Sequence, residues 1–290
     1  MSNEQKKWVY LTILALVWGS SFILMKKALI GITPIQLGAL RIIFTGIFLL
    51  STSFSSIKTI QKKHWKFILC TALVASFFPV FLFAYSVNEI DSAVVSILNC
   101  FTPFNTLLLG ATLFGFTFRK IQLVGILIGL VGSIVLILNG ATVNEEQNYW
   151  YSLFIIIASV GYALNVNMVK KYLYDLQPRA IVTGNFLLII LPALVVLYFT
   201  GFFSTFEYNE KGYSALGYVF ILAVFGTAIA KIIYNKLVQL ATPVFSSSVT
   251  YLIPIVAIFW GVLDGEELNN VQIIGGLIIL VGVFLVNKKK

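Results

Sequence analysis

Apolar residues run along this chain in long unbroken blocks, without the three-to-four spacing of a surface helix or the alternation of a half-buried strand. A helix that crosses a bilayer needs about 20 mostly apolar residues, within roughly 17–25. Ten blocks meet that length: 8–30, 35–53, 65–87, 92–114, 121–139, 149–169, 180–200, 215–235, 244–263 and 271–287. The polar stretches between them are short, and none has the Pro or Ser richness of a linker to a soluble domain. The pattern predicts an all-α integral membrane protein of ten transmembrane helices. The first block follows Lys6 and Lys7 and ends in Gly19-Ser20-Ser21, the outline of a cleavable signal peptide. It is read as an uncleaved first helix, because cleavage would leave nine spans and break the charge alternation.

That alternation gives the orientation. Cytoplasmic loops carry the excess of Lys and Arg, and one side collects Lys6, Lys7, Lys58, Lys62, Lys63, Lys66, Arg119, Lys120, Lys170, Lys171, Arg179, Lys236, Lys288, Lys289 and Lys290. The other side has Lys211 alone among the bases and holds Glu89, Asp91, Glu145, Glu146, Glu207, Glu210, Asp264, Glu266 and Glu267. Only Glu4 and Asp175 fall with the bases. Both termini are therefore expected in the cytoplasm of a multi-pass protein of the cell (inner or plasma) membrane. Composition agrees: 59% of residues are hydrophobic and 11% charged, with a mean hydropathy of +0.95, against roughly 45–50% and about 25% in soluble domains. The net charge of +9 is then a topology signal, and no nucleic-acid partner is expected. His64, Cys70 and Cys100 are too few for a structural zinc site of about four ligands, so no metal or cofactor is expected. Both Cys read as free thiols in apolar segments.

The two halves resemble each other. QLVGILIGLVG at 122–132 in the fifth block matches QIIGGLIILVG at 272–282 in the tenth. In the blocks before them Ser92, Ser96, Asn99 and Pro103 match Pro243, Ser247, Thr250 and Pro254 at one constant interval. Trp18, Lys26, Lys27 and Pro34 lie opposite Tyr162, Lys170, Lys171 and Pro178. Each unit has five spans, so the second must enter the membrane from the opposite side. Arg119 and Lys120 precede the first Gln-Gly helix and Glu266 and Glu267 the second, as inversion requires. Two inverted five-helix repeats, 8–139 and 149–287, are a signature of secondary transporters whose site lies at the midplane between repeats.

WGSSFILMKKAL at 18–29, YLIPIVAIFWGVLDGEEL at 251–268 and QIIGGLIILVGVFLV at 272–286 resemble the two-repeat EamA permeases of the drug/metabolite transporter superfamily, and the resemblance covers nearly all of the chain. It implies ten helices, both termini inside and a central pathway for small organic solutes. The Gly-Glu step usual in that family after the fourth span reads Gly115-Phe116 here, while Gly265-Glu266 keeps it in the second repeat. Glu266 is the copy expected to act in packing or gating at the outer face.

Residues three or four apart share a helix face. Ser92, Ser96, Asn99, Pro103 and Thr106 form one polar stripe in the fourth span, and Ser247, Thr250 and Pro254 repeat it in the ninth. Such a stripe belongs against protein or a water-filled cavity, joining helices or lining a shared pathway. Pro103 and Pro254 are candidate hinges, since each removes a mid-helix hydrogen bond and frees a carbonyl that a solute or water could use. Lys26, Lys27, Arg41 and Lys231 are cations inside spans, which point to function unless they snorkel to the surface. Lys231, on one face with Thr227 and Tyr234, is the sharpest candidate anchor for a carboxylate. Asn165 and Asn185 are candidate neutral partners, and Asn165 is preferred to Asn167, from which it is two residues away. Trp18, Tyr85, Tyr162 and Tyr251 lie deep enough to line the pathway or fill the bundle. Gly125 with Gly129, and Gly275 or Gly276 with Gly282, give the fifth and tenth spans small faces for close helix contact, a dimer surface being one such contact.

No Asp or Glu lies well inside any span. The small four-helix multidrug relatives of the resembling family share a membrane carboxylate between proton and cationic drug, so this chain fits neutral, zwitterionic or anionic metabolites better, amino-acid-like ones first. A proton could couple through Glu266 or Lys231. The expectation is a secondary transporter working by alternating access. A multispan enzyme would show paired carboxylates, a His cluster or a nucleophile with its base, and a channel would show a charged ring or carbonyl filter.

Overall fold

The computed structural model describes residues 1–90, 92–138, 148–263 and 270–287. Glu266, proposed above as a gate, lies outside the described residues, as do Asp91, Glu145, Glu146, Asp264, Glu267 and the three terminal lysines. Among the described residues the regular structure is helical throughout. Seven helices are long and apolar enough to cross a membrane, and three shorter apolar helices accompany them.

In chain order these are α1 Asn3–Ala28, α2 Pro34–Ser53 and α3 Lys62–Glu89, then α4 in two pieces, Ser92–Asn99 and Thr102–Thr112, and α5 Lys120–Leu138. The second half has α6 Ser152–Tyr172, α7 Pro178–Phe199 and α8 Glu210–Leu240, then α9 in two pieces, Pro243–Ser247 and Val249–Leu263, and α10 Asn270–Asn287. Local chemistry sets the ends. Ser2 with Gln5 and Thr33 with Gln36 form capping boxes that open α1 and α2. Proline stands in the first turn of α2, α7 and α9, where its missing N–H costs nothing. Gly115, after the end of α4, takes φ +69°, the left-handed region that favours glycine, and the Phe116 amide reaches back to the Gly110 carbonyl at 2.9 Å.

Two helices carry a π-helical segment, Leu73–Phe77 in α3 and Val224–Ile229 in α8. Val224 follows Leu73 by the same interval as Thr250 follows Asn99, so the two widened turns fall at matching places in the halves. Pro79 gives a reason for the first: it has no N–H to offer the Ala75 carbonyl four residues back.

Helices pack across the halves, α2 on α7, α1 on α9, α4 on α6 and α5 on α10. The glycine faces of α5 and α10 are turned on each other within the chain. A Cβ on Gly282 would stand 2.5 Å from the Gly129 nitrogen and 2.8 Å from the Gly125 carbonyl oxygen, so only glycine allows this backbone approach. The chain ends lie together, where Lys7 donates to the Asn287 side chain at 2.6 Å. The first turn of α3 meets the loop before α7 through His64 and Asp175 at 3.1 Å, with Lys63 at 3.5 Å. Partial burial raises the Asp175 carboxyl, but its own backbone N–H, His64 and Lys63 outweigh that and hold it below the usual carboxylate value.

Candidate functional site

Between the halves lies one cavity of about 130 Å³, walled by α1, α2, α3 and α4 from one side and α6, α7, α8 and α9 from the other. Neither α5 nor α10 contributes. Cavities of about 150 Å³ hold a benzene-sized molecule, so this one suits a single small solute.

The wall is paired. Trp18 and Tyr162 both line it, as do Asn99 and Thr250. Arg41 and Asn185 also face it, each in the second turn or so after the proline that opens its helix. Both π-helical turns present backbone to it, through Ala75 and Gly226. The Gly226 carbonyl accepts from the Trp18 indole at 3.0 Å, and the neighbouring Thr227 hydroxyl accepts from Arg41 Nε at 2.8 Å. Across the cavity the Lys231 ammonium donates to the Ala75 carbonyl at 2.6 Å and to Ser76 Oγ at 3.0 Å. Arg41 is held also at Nη1 by a 3.8 Å contact with Met25 Sδ. Trp18 also packs on Tyr234, ring centroids 5.3 Å apart. Two cations thus share the wall, and among the described residues no Asp or Glu joins them.

Of the residues singled out from the sequence, Trp18, Arg41, Asn99, Tyr162, Asn165, Thr227, Lys231, Tyr234 and Thr250 are brought together here. Asn165 faces the cavity, while Asn167 turns away to the carbonyls of Thr106 and Ala163 at 3.0 and 2.9 Å. Five others stand elsewhere. Tyr251 is fully buried and donates to the Ile126 carbonyl at 2.9 Å, so it ties α9 to α5. Ser247 bonds back to the Val244 carbonyl at 3.0 Å. Ser96 is buried without a hydrogen-bond partner among the described residues and outside the cavity wall. Lys26 is exposed beside a separate groove formed with Asn88, Glu89 and Ile90. Tyr85 stacks on Tyr151, also away from the cavity.

The hinge prolines behave differently from expectation in one respect. Pro103 and Pro254 cannot bond to Asn99 and Thr250 four residues back, yet the freed carbonyls are not offered to the cavity. The Thr102 hydroxyl takes the first at 2.7 Å and the Cys100 thiol the second at 3.4 Å. The carbonyl that a proline does release towards the cavity is that of Ala75. Ala75, Ser76 and Gly226 went unnoticed in the sequence because two of them act through backbone oxygen; Pro79 was the available signal for the first.

Comparison with known proteins places this architecture. The EamA-like transporter family matches residues 6–138 and 149–288. The chain is similar to the uncharacterized inner membrane transporter YedA of Escherichia coli (strain K12), with 27% identity over 96% of this chain and 89% of that protein. It is also similar to the uncharacterized transporter sll0355 of Synechocystis, with 27% identity over 94% and 87%, and to a chloroplastic WAT1-related protein of Arabidopsis thaliana, with 24% over 97% and 69%. A crystal structure of another protein superposes with a TM-score of 0.74 at 15% identity, over 98% of this chain and 96% of that one, which is a likeness of fold.

Proposed function

The chain belongs to the EamA-like transporter family, and from that premise we propose that it is a secondary transporter carrying small organic metabolites without net positive charge, amino-acid-like zwitterions and anions, by alternating access to the central cavity. It is a multi-pass membrane transporter rather than an enzyme.

The reading takes α1 to α10 as ten spans in two inverted repeats, 8–139 and 149–287, with both termini in the cytoplasm. Supporting it, α5 and α10 have 19 and 18 residues, which at about 1.5 Å per residue come close to the roughly 30 Å hydrocarbon core. The packing is its own mirror under exchange of halves: α2 on α7 and α5 on α10 map onto themselves, and α1 on α9 maps onto α6 on α4. The matched π-helical turns agree. A pseudo-two-fold axis of this kind lets one half rock against the other around a fixed site.

One observation carries the solute class: Arg41 and Lys231 on a wall where the described residues include no carboxylate. Two charges taken out of water without a counter-charge are costly. A solute carboxylate would satisfy both, and charge-assisted hydrogen bonds are the strong kind. The neutral amides Asn99, Asn165 and Asn185 and the aromatic pair Trp18 and Tyr162 would serve the rest of the solute. Proteoliposomes test the proposal. Protein-dependent, saturable flux of small carboxylates or amino acids is expected, lowered at least about tenfold by Arg41→Gln, the weight of one charged hydrogen bond. Non-saturating ohmic current, or flux indifferent to Arg41, would overturn it.

A further inference from the structure

The Lys231 ammonium sits where a free cation would. The turn at Leu73–Phe77 is π-helical, and Pro79 has no N–H for the Ala75 carbonyl, so that oxygen needs a donor from elsewhere in the protein. Ser76 Oγ lies beside it. A carbonyl and a hydroxyl oxygen, 2.6 and 3.0 Å from one nitrogen, are the ligand type that an ammonium or a hard cation takes. The matching turn in the other half has the same pair of oxygens, Gly226 O and Thr227 Oγ1, and fills it with the Trp18 indole and the Arg41 guanidinium.

The two occupants are not alike. Trp18 and Arg41 stand on consecutive helices, and the Arg41 guanidinium is held at two of its nitrogens, Nε and Nη1. Lys231 reaches from α8 across the cavity on a flexible stem, and one of its three N–H groups is left for the cavity. At the position in α3 that corresponds to Lys231 stands Val80, so the second pair of oxygens has no lysine of its own.

We propose that the Ala75 carbonyl and Ser76 hydroxyl form a cation niche in the cavity wall, that Lys231 is its resident occupant, and that this occupancy makes Lys231 the residue that bars solutes of net positive charge, small alkylammonium ions first, from the pathway. The proposal rests on the cavity's being a solute site. It deepens that reading by naming how positive charge is refused: both oxygen pairs are plugged from within, and the plugs repel a further cation. Shortening Lys231 removes one plug and one charge together and leaves the niche open to a small alkylammonium.

The full-length protein in detergent tests this with methylammonium as the probe. Lys231→Ala should gain thermal stabilisation from millimolar methylammonium, its apparent affinity about tenfold or more above that of the parent, the weight of a charged hydrogen bond. Adding Ser76→Ala should remove most of that gain. A folded Lys231→Ala that methylammonium leaves unmoved, or a parent protein that binds it equally well, would overturn the proposal. Should Lys231→Ala not fold, Lys231→Met carries the same test, since it keeps the apolar stem and has no donor for Ala75, and a folded variant indifferent to methylammonium counts against the niche. Carboxylate and amino-acid flux by the parent, measured in parallel, separates the outcomes: a niche without flux sinks the proposed solute class, and flux without a niche sinks only this inference.

Discussion

Single side chains at matching places in the two halves do unequal work, and Tyr251 shows it most plainly. It has the depth and chemistry of a pathway residue, yet its hydroxyl holds the Ile126 carbonyl and its ring lies 2.9 Å from where a Cβ on Gly129 would stand. Tyr251→Phe should therefore cost about 1 kcal/mol of stability, the net worth of one buried hydrogen bond, read by unfolding in mixed micelles, while solute flux stays at the parent level. Reduced flux at unchanged stability would return Tyr251 to the pathway. What the sequence made legible at this scale was residue type and helix face: Arg41, Lys231, Asn99, Thr250 and the choice of Asn165 over Asn167 all follow from charge and spacing. Spacing does not say which neighbour a face meets. That is why Ser96 and Ser247, on the same stripes as Asn99 and Thr250, fall outside the cavity wall, and why exposed Lys26 is not beside Arg41.

At the scale of the element, backbone groups matter more than the stripes do. The prolines were legible, but the partner of each freed carbonyl was not, because a hydroxyl, a thiol or an ammonium can all take that role and only packing decides. Thr102, Cys100 and Lys231 divide it here. Lys170 caps the end of α8 in a similar way, donating to the carbonyls of Val238, Gln239 and Ala241 at 3.1, 3.1 and 2.8 Å, a favourable place for a cation at a helix C-terminus. The glycines were legible as small faces, and the structure sets Gly125, Gly129 and Gly282 between α5 and α10, while a Cβ on Gly276 would meet nothing within 4 Å. Gly282→Ala should cost about 1–3 kcal/mol by overpacking, because its Cβ would press on backbone. Gly217→Ala, whose Cβ would meet nothing within 4 Å, should be neutral or stabilising by up to about 1 kcal/mol. Mixed-micelle unfolding of both variants checks the contrast, and equal losses would mean that the α5 and α10 backbones are not in contact.

For the whole molecule, the hydropathy pattern and the repeat anticipated an all-helical bundle in which residues from both halves meet. Of the residues that the ledger of loop charges put on one side, Lys63 and Asp175 meet as an ion pair. The hydrogen bonds across the cavity could not be read in advance, as they depend on the pairing of helices distant in sequence. They leave Arg41 and Lys231 as fixed charges, tied to opposite π-helical turns, that the solute does not carry with it. On the proposed route the membrane voltage therefore acts on the solute's own charge, worth about 2.3 kcal/mol per elementary charge per 100 mV. An inside-negative potential would drive a monoanionic solute outward and leave a zwitterion indifferent. A valinomycin-imposed potassium potential in proteoliposomes should accordingly change the initial flux of a monocarboxylate and not that of a neutral amino acid. The same voltage response for both would mean that a charge of the protein, or a co-transported ion, crosses as well.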